Sequence, residues 1–436
     1  MNKVIRNASW IIICRVVQAV LALIISMITA RYLGPSNFGL LNYAISLVAF
    51  VLPVMRLGLS SILVQEFVSE PEKEGETLGT SLLLSFVSSL VCVAGVNFFV
   101  SLTNAGEKDT ILVCALYSTV LVFQVFEMIN YWFQARLMAK YSSIVALIAY
   151  SVVSIYKIYL LVTQKSIYWF SVANTLDYLI IAIGLFILYK KKGDQKLSFN
   201  SARAKRMLSI SKYYIISDLM VVVFAQTDRV MLKAMIGNAA TGYYSAAITC
   251  AAMTQFVFVA IIDSMRPAIL EGKKASEEIY LLNLSRLFSV ITYLSLAQCI
   301  GMTGLAPVII HVLYGPQYEA SISALQIVVW YTTFSYLGAA RNIWILAEGK
   351  QKYLWQINLF GALANVALNA VLIQKLGVNG AALASLITQF LTNVVTGYIF
   401  PPIRGVNRVL IKGFDPLFFV ENVKKLLTSQ GAEKHE

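Results

Sequence analysis

Ten ionisable side chains stand inside otherwise apolar stretches of this 436-residue chain: Arg15, Arg56, Lys157, Arg229 and Arg341, against Glu127, Asp177, Asp218, Asp228 and Asp263. Each would cost about 2.5–3.5 kcal/mol at the centre of a bilayer on insertion scales. Unpaired in lipid, together they would exceed an ordinary folding margin of about 5–15 kcal/mol. They must face water, a ligand or one another. Arginine presents a planar fork of donors suited to phosphate, so several arginines at depth point to an anionic group that leaves bulk water. Carboxylates at similar depth are where a coupling cation would be taken up.

Helical spacing sharpens this reading. Arg15, Gln18, Ser26 and Thr29 fall on one stripe of the first apolar stretch, and Asp218 and Arg229 on one stripe of the seventh. Arg15, Arg56, Arg229, Arg341 and Gln18 are therefore the candidate substrate contacts, and Asp177, Asp218, Asp263 and Glu127 the candidate coupling sites. Lys157 and Arg341 stand near helix ends, where long side chains snorkel to an interface; Arg15 and Arg56 are expected deeper. His311 and His435 are the only histidines, so a histidine relay through the membrane is excluded and proton coupling needs carboxylates.

The elements that must position these groups follow from composition. With 58% hydrophobic and 13% charged residues and a mean hydropathy of +0.72, the chain departs from soluble proteins, in which about a quarter of residues are charged. Twelve apolar stretches of span length are expected at 8–30, 38–67, 78–102, 110–133, 142–162, 167–189, 208–236, 241–270, 281–306, 321–346, 353–376 and 380–400. Helix is the only open-chain solution in lipid. The first stretch is too long for a signal-peptide core and is read as a retained span.

The net charge of +13 is dispersed between apolar runs, which excludes a nucleic-acid reading and makes it a matter of topology. Most Lys and Arg fall on the side of the N-terminus, which places both termini in the cytoplasm. The basic segment with Lys190, Lys191, Lys192, Lys196, Arg203, Lys205, Arg206 and Lys212 becomes a cytoplasmic linker. Glu66, Glu70, Glu72, Glu74 and Glu76 read as a short solvated turn. Cys14, Cys92, Cys114, Cys250 and Cys299 lie within apolar runs without metal-site spacing and read as packing residues. Asp415-Pro416 opens a helix too short to span, suited to the membrane surface.

Two pieces of the chain recur. Asn130, Trp132, Ala135, Lys140 and Tyr141 match Asn342, Trp344, Ala347, Lys352 and Tyr353 at an offset of 212. Gly34, Gly39 and Ala44 match Gly237, Gly242 and Ala247 at an offset of 203. The chain is thus expected to be all-α: twelve transmembrane helices in two six-helix lobes related by a parallel repeat, with a central cavity between them. The lobes span 1–190 and 208–400, joined by a basic linker at 191–207 and followed by a tail at 401–436. Loops this short leave no room for a catalytic domain, and no phosphate-binding Gly-rich loop occurs, so an enzyme is not expected. Tyr43, Trp132, Tyr243, Tyr244, Trp330 and Tyr331 could meet sugar faces, though membrane-interface belts use the same residues.

The segment Thr29-Ala30-Arg31-Tyr32-Leu33-Gly34-Pro35-Ser36-Asn37-Phe38-Gly39 resembles the signature between the first two helices of Wzx-type oligosaccharide (O-antigen) lipid flippases. These are the polysaccharide transporters of the multidrug/oligosaccharidyl-lipid/polysaccharide exporter superfamily. Further similarity runs through Trp132-Phe133-Gln134-Ala135, Thr227-Asp228-Arg229-Val230-Met231-Leu232, Leu313-Tyr314-Gly315, Glu348-Gly349-Lys350 and Gly377-Val378-Asn379-Gly380-Ala381-Ala382.

The resemblance implies a bacterial inner-membrane protein that moves an undecaprenyl-diphosphate-linked repeat unit outward by alternating access, for lipopolysaccharide or other surface polysaccharide. It implies a cationic cavity at Arg15 and Arg56, no cofactor beyond an H+ or Na+ coupling ion, and membrane lipid and the lipid-linked oligosaccharide as partners, with a polymerase and chain-length machinery downstream. Lipid II flippases of the superfamily generally carry two more helices, which this tail does not supply. A multidrug/cation antiporter is the main alternative and would want an acidic cavity; a membrane-embedded sugar-lipid transferase is the other.

Overall fold

The computed structural model describes residues 3–422, with the side chains of 3–13 and 15 left out; Arg15 and His435 thus lie outside what is described. Among the described residues every regular element is a helix. In chain order they are α1 (Lys3–Met55), α2 (Leu63–Ser69), α3 (Glu74–Thr103), α4 (Lys108–Ser118), α5 (Val120–Gln124), α6 (Met128–Ala135), α7 (Ala139–Val162), α8 (Ile167–Lys192) and α9 (Ser201–Met235). There follow α10 (Asn238–Ala251), α11 (Gln255–Ala275), α12 (Glu277–Leu313), α13 (Ala320–Ala347), α14 (Leu354–Leu376), α15 (Val378–Phe390), α16 (Thr396–Ile399) and α17 (Val406–Gly413).

Ten stretches among the described residues are long and apolar enough to cross a membrane. The first runs through Gly34, whose φ of 72° and ψ of 169° are not helical, so α1 is two helices folded at a glycine with Pro35 opening the second. Helix α13, 28 residues long, falls outside those ten because serine, threonine and glycine dilute its apolar residues. Counting both brings the crossings to the expected twelve.

Two expected boundaries move. The second span ends at Met55, not near 67, because Leu57 and Gly58 both take left-handed conformations (φ 52° and 65°) and break the helix. Helix α12 runs on through Pro307 to Leu313, so His311 lies on a helix rather than in a loop.

The chain divides into two compact units, Met1–Gly242 and Tyr243–Glu436. In the first, α9 packs along α1, and α7 and α8 lie against each other. One apolar core of this unit gathers Leu59, Leu63, Phe67, Leu78, Met128, Trp132, Tyr189 and Met207. In the second, α12 packs on α13 and α17, around Tyr280, Phe288, Tyr336, Trp344 and Val409. The residue after α17 leads to Asp415, whose carboxylate accepts from the Leu417 N–H at 2.9 Å, and helix follows from 416 as its Asp-Pro start predicts.

The repeat extends to individual hydrogen bonds. After α6, Met138 N–H donates to the Phe133 carbonyl and Leu137 N–H to that of Gln134; after α13, Lys350 donates to Ile345 and Gly349 to Leu346. Leu137 and Gly349 are both left-handed, at φ 53° and 64°. Each is a Schellman helix end, reproduced at the offset of 212 seen in the sequence. Within the first unit the other repeat meets itself: a side chain at Gly39 would strike the Asn238 carbonyl, and one at Gly242 the Pro35 carbonyl.

Candidate functional site

Arg56 is the residue at which α1 stops, its N–H bonded to the Leu52 carbonyl just before the left-handed pair. It sits at a helix break rather than deep within a span. Glu127 stands at a second break, a short 3-10 turn (Val125–Glu127) between α5 and α6. The two breaks bring the guanidinium and carboxylate to 2.6 Å, with 27% of each side chain exposed. The guanidinium Nε is buried without a hydrogen bond among the described residues. Charge continues on both sides: Arg56 acts electrostatically on Asp218 of α9, and Glu127 on Asp177 of α8. Asp177 in turn feels Lys157 of α7.

Five elements of the first unit thus contribute a row Asp218, Arg56, Glu127, Asp177, Lys157. Tyr131 and Tyr178 lie within electrostatic reach of Arg56. Asp177 Oδ1 is buried with no hydrogen bond among the described residues. Lys157 does not snorkel; its ammonium donates to Asn174 Oδ1 at 2.9 Å. The row thus carries three carboxylates and two cations.

The other sequence candidates are not gathered there. Gln226 joins two helices of this unit, accepting from Ser46 of α1 at 2.9 Å and from Arg229 at 2.8 Å. Its neighbour Asp228 is buried. Gln18 is half-buried on α1. Asp263 is exposed on α11 and pairs with Arg266 on the same helix at 3.1 Å. Arg341, expected to snorkel, is only 3% exposed in the second unit. It donates to the Thr392 carbonyl at 2.6 Å, inside a π-helical turn (Leu391–Val395). The same carbonyl also accepts from the Thr396 hydroxyl, so Arg341 is tied directly to that turn.

The aromatic candidates also divide. Tyr43, Trp132 and Tyr244 are core residues, at 3%, 1% and 2% exposure, and cannot stack on a sugar; Tyr243, Trp330 and Tyr331 are half-buried. The five cysteines are free and buried.

The acidic turn is not simply solvated. Arg203, at the start of α9, donates to Glu70 at 2.6 Å and to Glu76 at 2.7 Å, and lies 3.7 Å from Glu66. Arg206 pairs with Glu66 and with Glu70. Glu74, only 2% exposed, is held by Arg136 at 2.8 Å. The hydrogen bond from Arg203, then its positive charge and that of Arg206, hold the Glu70 carboxyl below the usual carboxylate range. The basic linker and the acidic turn form one clamp. Their opposite charges were the available signal, but separation by more than a hundred residues hid the pairing. In the second unit Glu348, at the position equivalent to Arg136, pairs with Lys273, the same device with the signs exchanged.

Among the described residues no group of His, Cys, Asp and Glu is placed to hold a metal. The polysaccharide biosynthesis protein family model matches residues 4–273. The chain belongs to that family. Across nearly its whole length this family member is also 21% identical to the capsular polysaccharide biosynthesis protein CapF of Staphylococcus aureus, covering 91% of this chain and 99% of that protein. An uncharacterized membrane protein of Methanocaldococcus jannaschii is 22% identical over 89% of this chain and 82% of its own.

Among solved structures, the lipid II flippase MurJ in an inward closed conformation superposes with a TM-score of 0.74 at 15% identity, over 95% of this chain and 92% of that one. An inward-facing multidrug resistance transporter of the MATE family gives 0.68 at 13% identity, over 91% and 96%. The family member is a multi-pass membrane protein with the fold of transporters and flippases, not that of an enzyme.

Proposed function

We propose that this protein flips an undecaprenyl-diphosphate-linked oligosaccharide repeat unit from the cytoplasmic to the outer leaflet of the bacterial cytoplasmic membrane, by alternating access. The observation that carries the reading is the conjunction of a polysaccharide biosynthesis family with a fold shared by a lipid-linked-substrate flippase and drug transporters. The physical task is to pass a diphosphate and its sugars across about 30 Å of hydrocarbon while the polyprenyl tail stays in lipid. Lobes at 1–190 and 208–400, joined by the linker at 191–207, would open alternately to the two sides, with the termini and the tail at 401–436 cytoplasmic.

In this reading Arg15 and Arg56 meet the diphosphate, and Gln18 and Arg229 line its path. Arg341, enclosed by the π-helical turn, supports the second lobe. An inside-negative potential favours export of a dianion by about 4.6 kcal/mol per 100 mV. Resetting by H+ or Na+ falls to the row of carboxylates, with Asp177 and Asp218 ahead of Asp263, which pairs with Arg266, and of Glu127, which already holds Arg56. A polymerase and chain-length machinery would consume the exported unit.

The test is a liposome assay with purified protein and a fluorescent polyprenyl-diphosphate oligosaccharide. Arg56→Gln is expected to slow appearance in the far leaflet about tenfold, as the loss of one charge-assisted phosphate contact would. Unchanged rates remove Arg56 from the path. Wild-type protein that exports cationic drugs and leaves the sugar lipid in place would establish the antiporter reading, which the surplus of carboxylates over cations in the row favours.

A further inference from the structure

One face of the first unit carries an open cleft of about 330 Å³, walled by α3, by the 3-10 turn at Val125–Glu127 and by the linker that leads to α9. Such a volume lies in the range of small-ligand sites. Leu82, Leu83 and Phe86 come from α3, Phe126 from the turn, and Leu197 and Phe199 from the linker. The linker wall is the unusual part. It is irregular backbone in a segment otherwise dominated by lysine and arginine, yet it presents two large apolar side chains, 37% and 52% exposed.

The wall is built rather than incidental. Ser198 N–H donates to the Gly75 carbonyl at 3.3 Å, and Asn200 N–H to Thr80 Oγ1 at 3.1 Å. Gln195 spans from the Gly75 N–H to the Pro71 carbonyl, both at 2.9 Å. Gly75 and Gly79, one helical turn apart, let the linker backbone touch α3: a side chain at Gly79 would strike Ser198, and one at Gly75 would strike Lys196. The Arg203 clamp fixes the far end of the same segment.

Two lysines lie close to the cleft without lining it. Lys196 precedes Leu197 in the wall. Lys190 lies 4.9 Å from the centre of the Phe186 ring, which meets the edge of Phe126. An apolar slot with one lysine next to it in the linker and another in the last turn of α8, at the end of the bundle where basic residues gather, suits an anionic amphiphile anchored at the cytoplasmic surface.

We infer that this cleft holds the first few isoprene units of the lipid-linked sugar, the rest of the polyprenyl tail staying in lipid, while its diphosphate is held near Lys190 and Lys196, a waiting position in the cytoplasmic leaflet. The inference rests on the flippase reading and names the substrate part that the charged row leaves unbound. Three aromatic rings and branched leucines give the slot methyl-sized irregularities that a branched isoprenoid fills better than a straight acyl chain. The clamp acts as a positioning device, since releasing the linker removes one wall.

The experiment uses the full-length protein in nanodiscs and undecaprenyl diphosphate carrying a diazirine in its tail, without sugar. Photolabel is expected on peptides covering residues 79–86 and 197–199. Unlabelled undecaprenyl diphosphate should compete for it, and phosphatidylglycerol at the same mole fraction should not. Leu82→Trp, which fills the slot, is expected to lower labelling about tenfold at an unchanged melting temperature. Lys190→Gln with Lys196→Gln should lower labelling by the diphosphate probe and not by a polyprenol probe.

Equal competition by phosphatidylglycerol would make the cleft a seat for bulk lipid and overturn the inference, as would label confined to other helices. Should Leu82→Trp unfold the protein, the lysine pair decides alone, and equal loss with both probes counts against the proposal. Flipping by wild-type protein is read separately in liposomes. Flipping without cleft labelling defeats this inference and spares the function, whereas labelling without flipping does the reverse.

Discussion

At the scale of single residues, the decisive fact is that Arg56 and Glu127 each stand where a helix has broken. Their side chains reach each other because neither is locked into a regular ladder. The sequence made both legible as charges in apolar surroundings, but it placed Arg56 too deep, since nothing in the apolar periodicity ends at Met55; only Gly58 hints at the left-handed break. The pair can be tested as a coupled unit. Removing one partner strands the other's charge in a largely apolar site, whereas removing both leaves neutral groups. Arg56→Gln and Glu127→Gln are each expected to lower stability, with the double variant recovering part of the loss through a coupling of about 1–3 kcal/mol. Thermal unfolding of the three variants in one detergent measures it, and strict additivity would show that the 2.6 Å contact contributes nothing to folding.

At the scale of elements, the repeated Schellman end gives a direct experiment. The same turn uses Leu137 at φ 53° in one copy and Gly349 at φ 64° in the other. A left-handed residue with a side chain costs about 1–2 kcal/mol over glycine, and Leu137 is 50% exposed, so it recovers only part of that by burial. Leu137→Gly should therefore raise stability by about 0.5–1 kcal/mol after the greater freedom of the unfolded glycine is counted, seen as a higher melting temperature. A lower one would mean that the leucine's packing outweighs its strain.

The clamp is testable through pH. Glu70 is held below its ordinary range chiefly by the hydrogen bond from Arg203. A depressed carboxylate contributes stability that is complete above its unfolded value, about 4.3, and is lost as pH falls through the lower folded value. Amide exchange at residues 195–200 should stay flat from pH 7 to about 5 and rise steeply below about 4 once corrected for intrinsic rates. Arg203→Ala should bring the fast regime to neutral pH. Its cost belongs toward the lower end of the roughly 3–5 kcal/mol seen for broken buried pairs, because Glu70 and Glu76 remain 30% and 26% exposed. Protected amides in Arg203→Ala at neutral pH would mean that the backbone bonds to Gly75 and Thr80 hold the linker unaided.

At the scale of the whole molecule, what could be read early was what periodicity and charge determine: helices throughout, twelve crossings, and a duplication. What could not be read was the pairing of distant residues. The duplication shows this best, because its glycines were visible as a spacing long before their purpose was. Gly34 and Gly237 are both left-handed, at φ 72° and 127°, which explains one pair as turn residues. Gly39 and Gly242 are explained only by contact. A side chain at Gly39 would lie 2.6 Å from the Gly242 nitrogen, and one at Gly242 would lie 2.9 Å from the Pro35 carbonyl carbon. Since residue 238 is the repeat partner of 35 and 242 that of 39, the two contacts are images of each other about a local two-fold.

The obstacles are backbone atoms, which cannot rotate aside as a side chain can. Gly39→Ala and Gly242→Ala should each cost at least the roughly 1–3 kcal/mol of core overpacking. The double variant should cost less than the sum, because moving the two helices apart once relieves both clashes. Gly95→Ala, with open space around the added methyl, is the matched control and should gain slightly from the better helix propensity of alanine. Melting temperatures of the four proteins decide the matter. Equal, small effects at Gly39, Gly242 and Gly95 would mean that the turns do not cross where the repeat puts them.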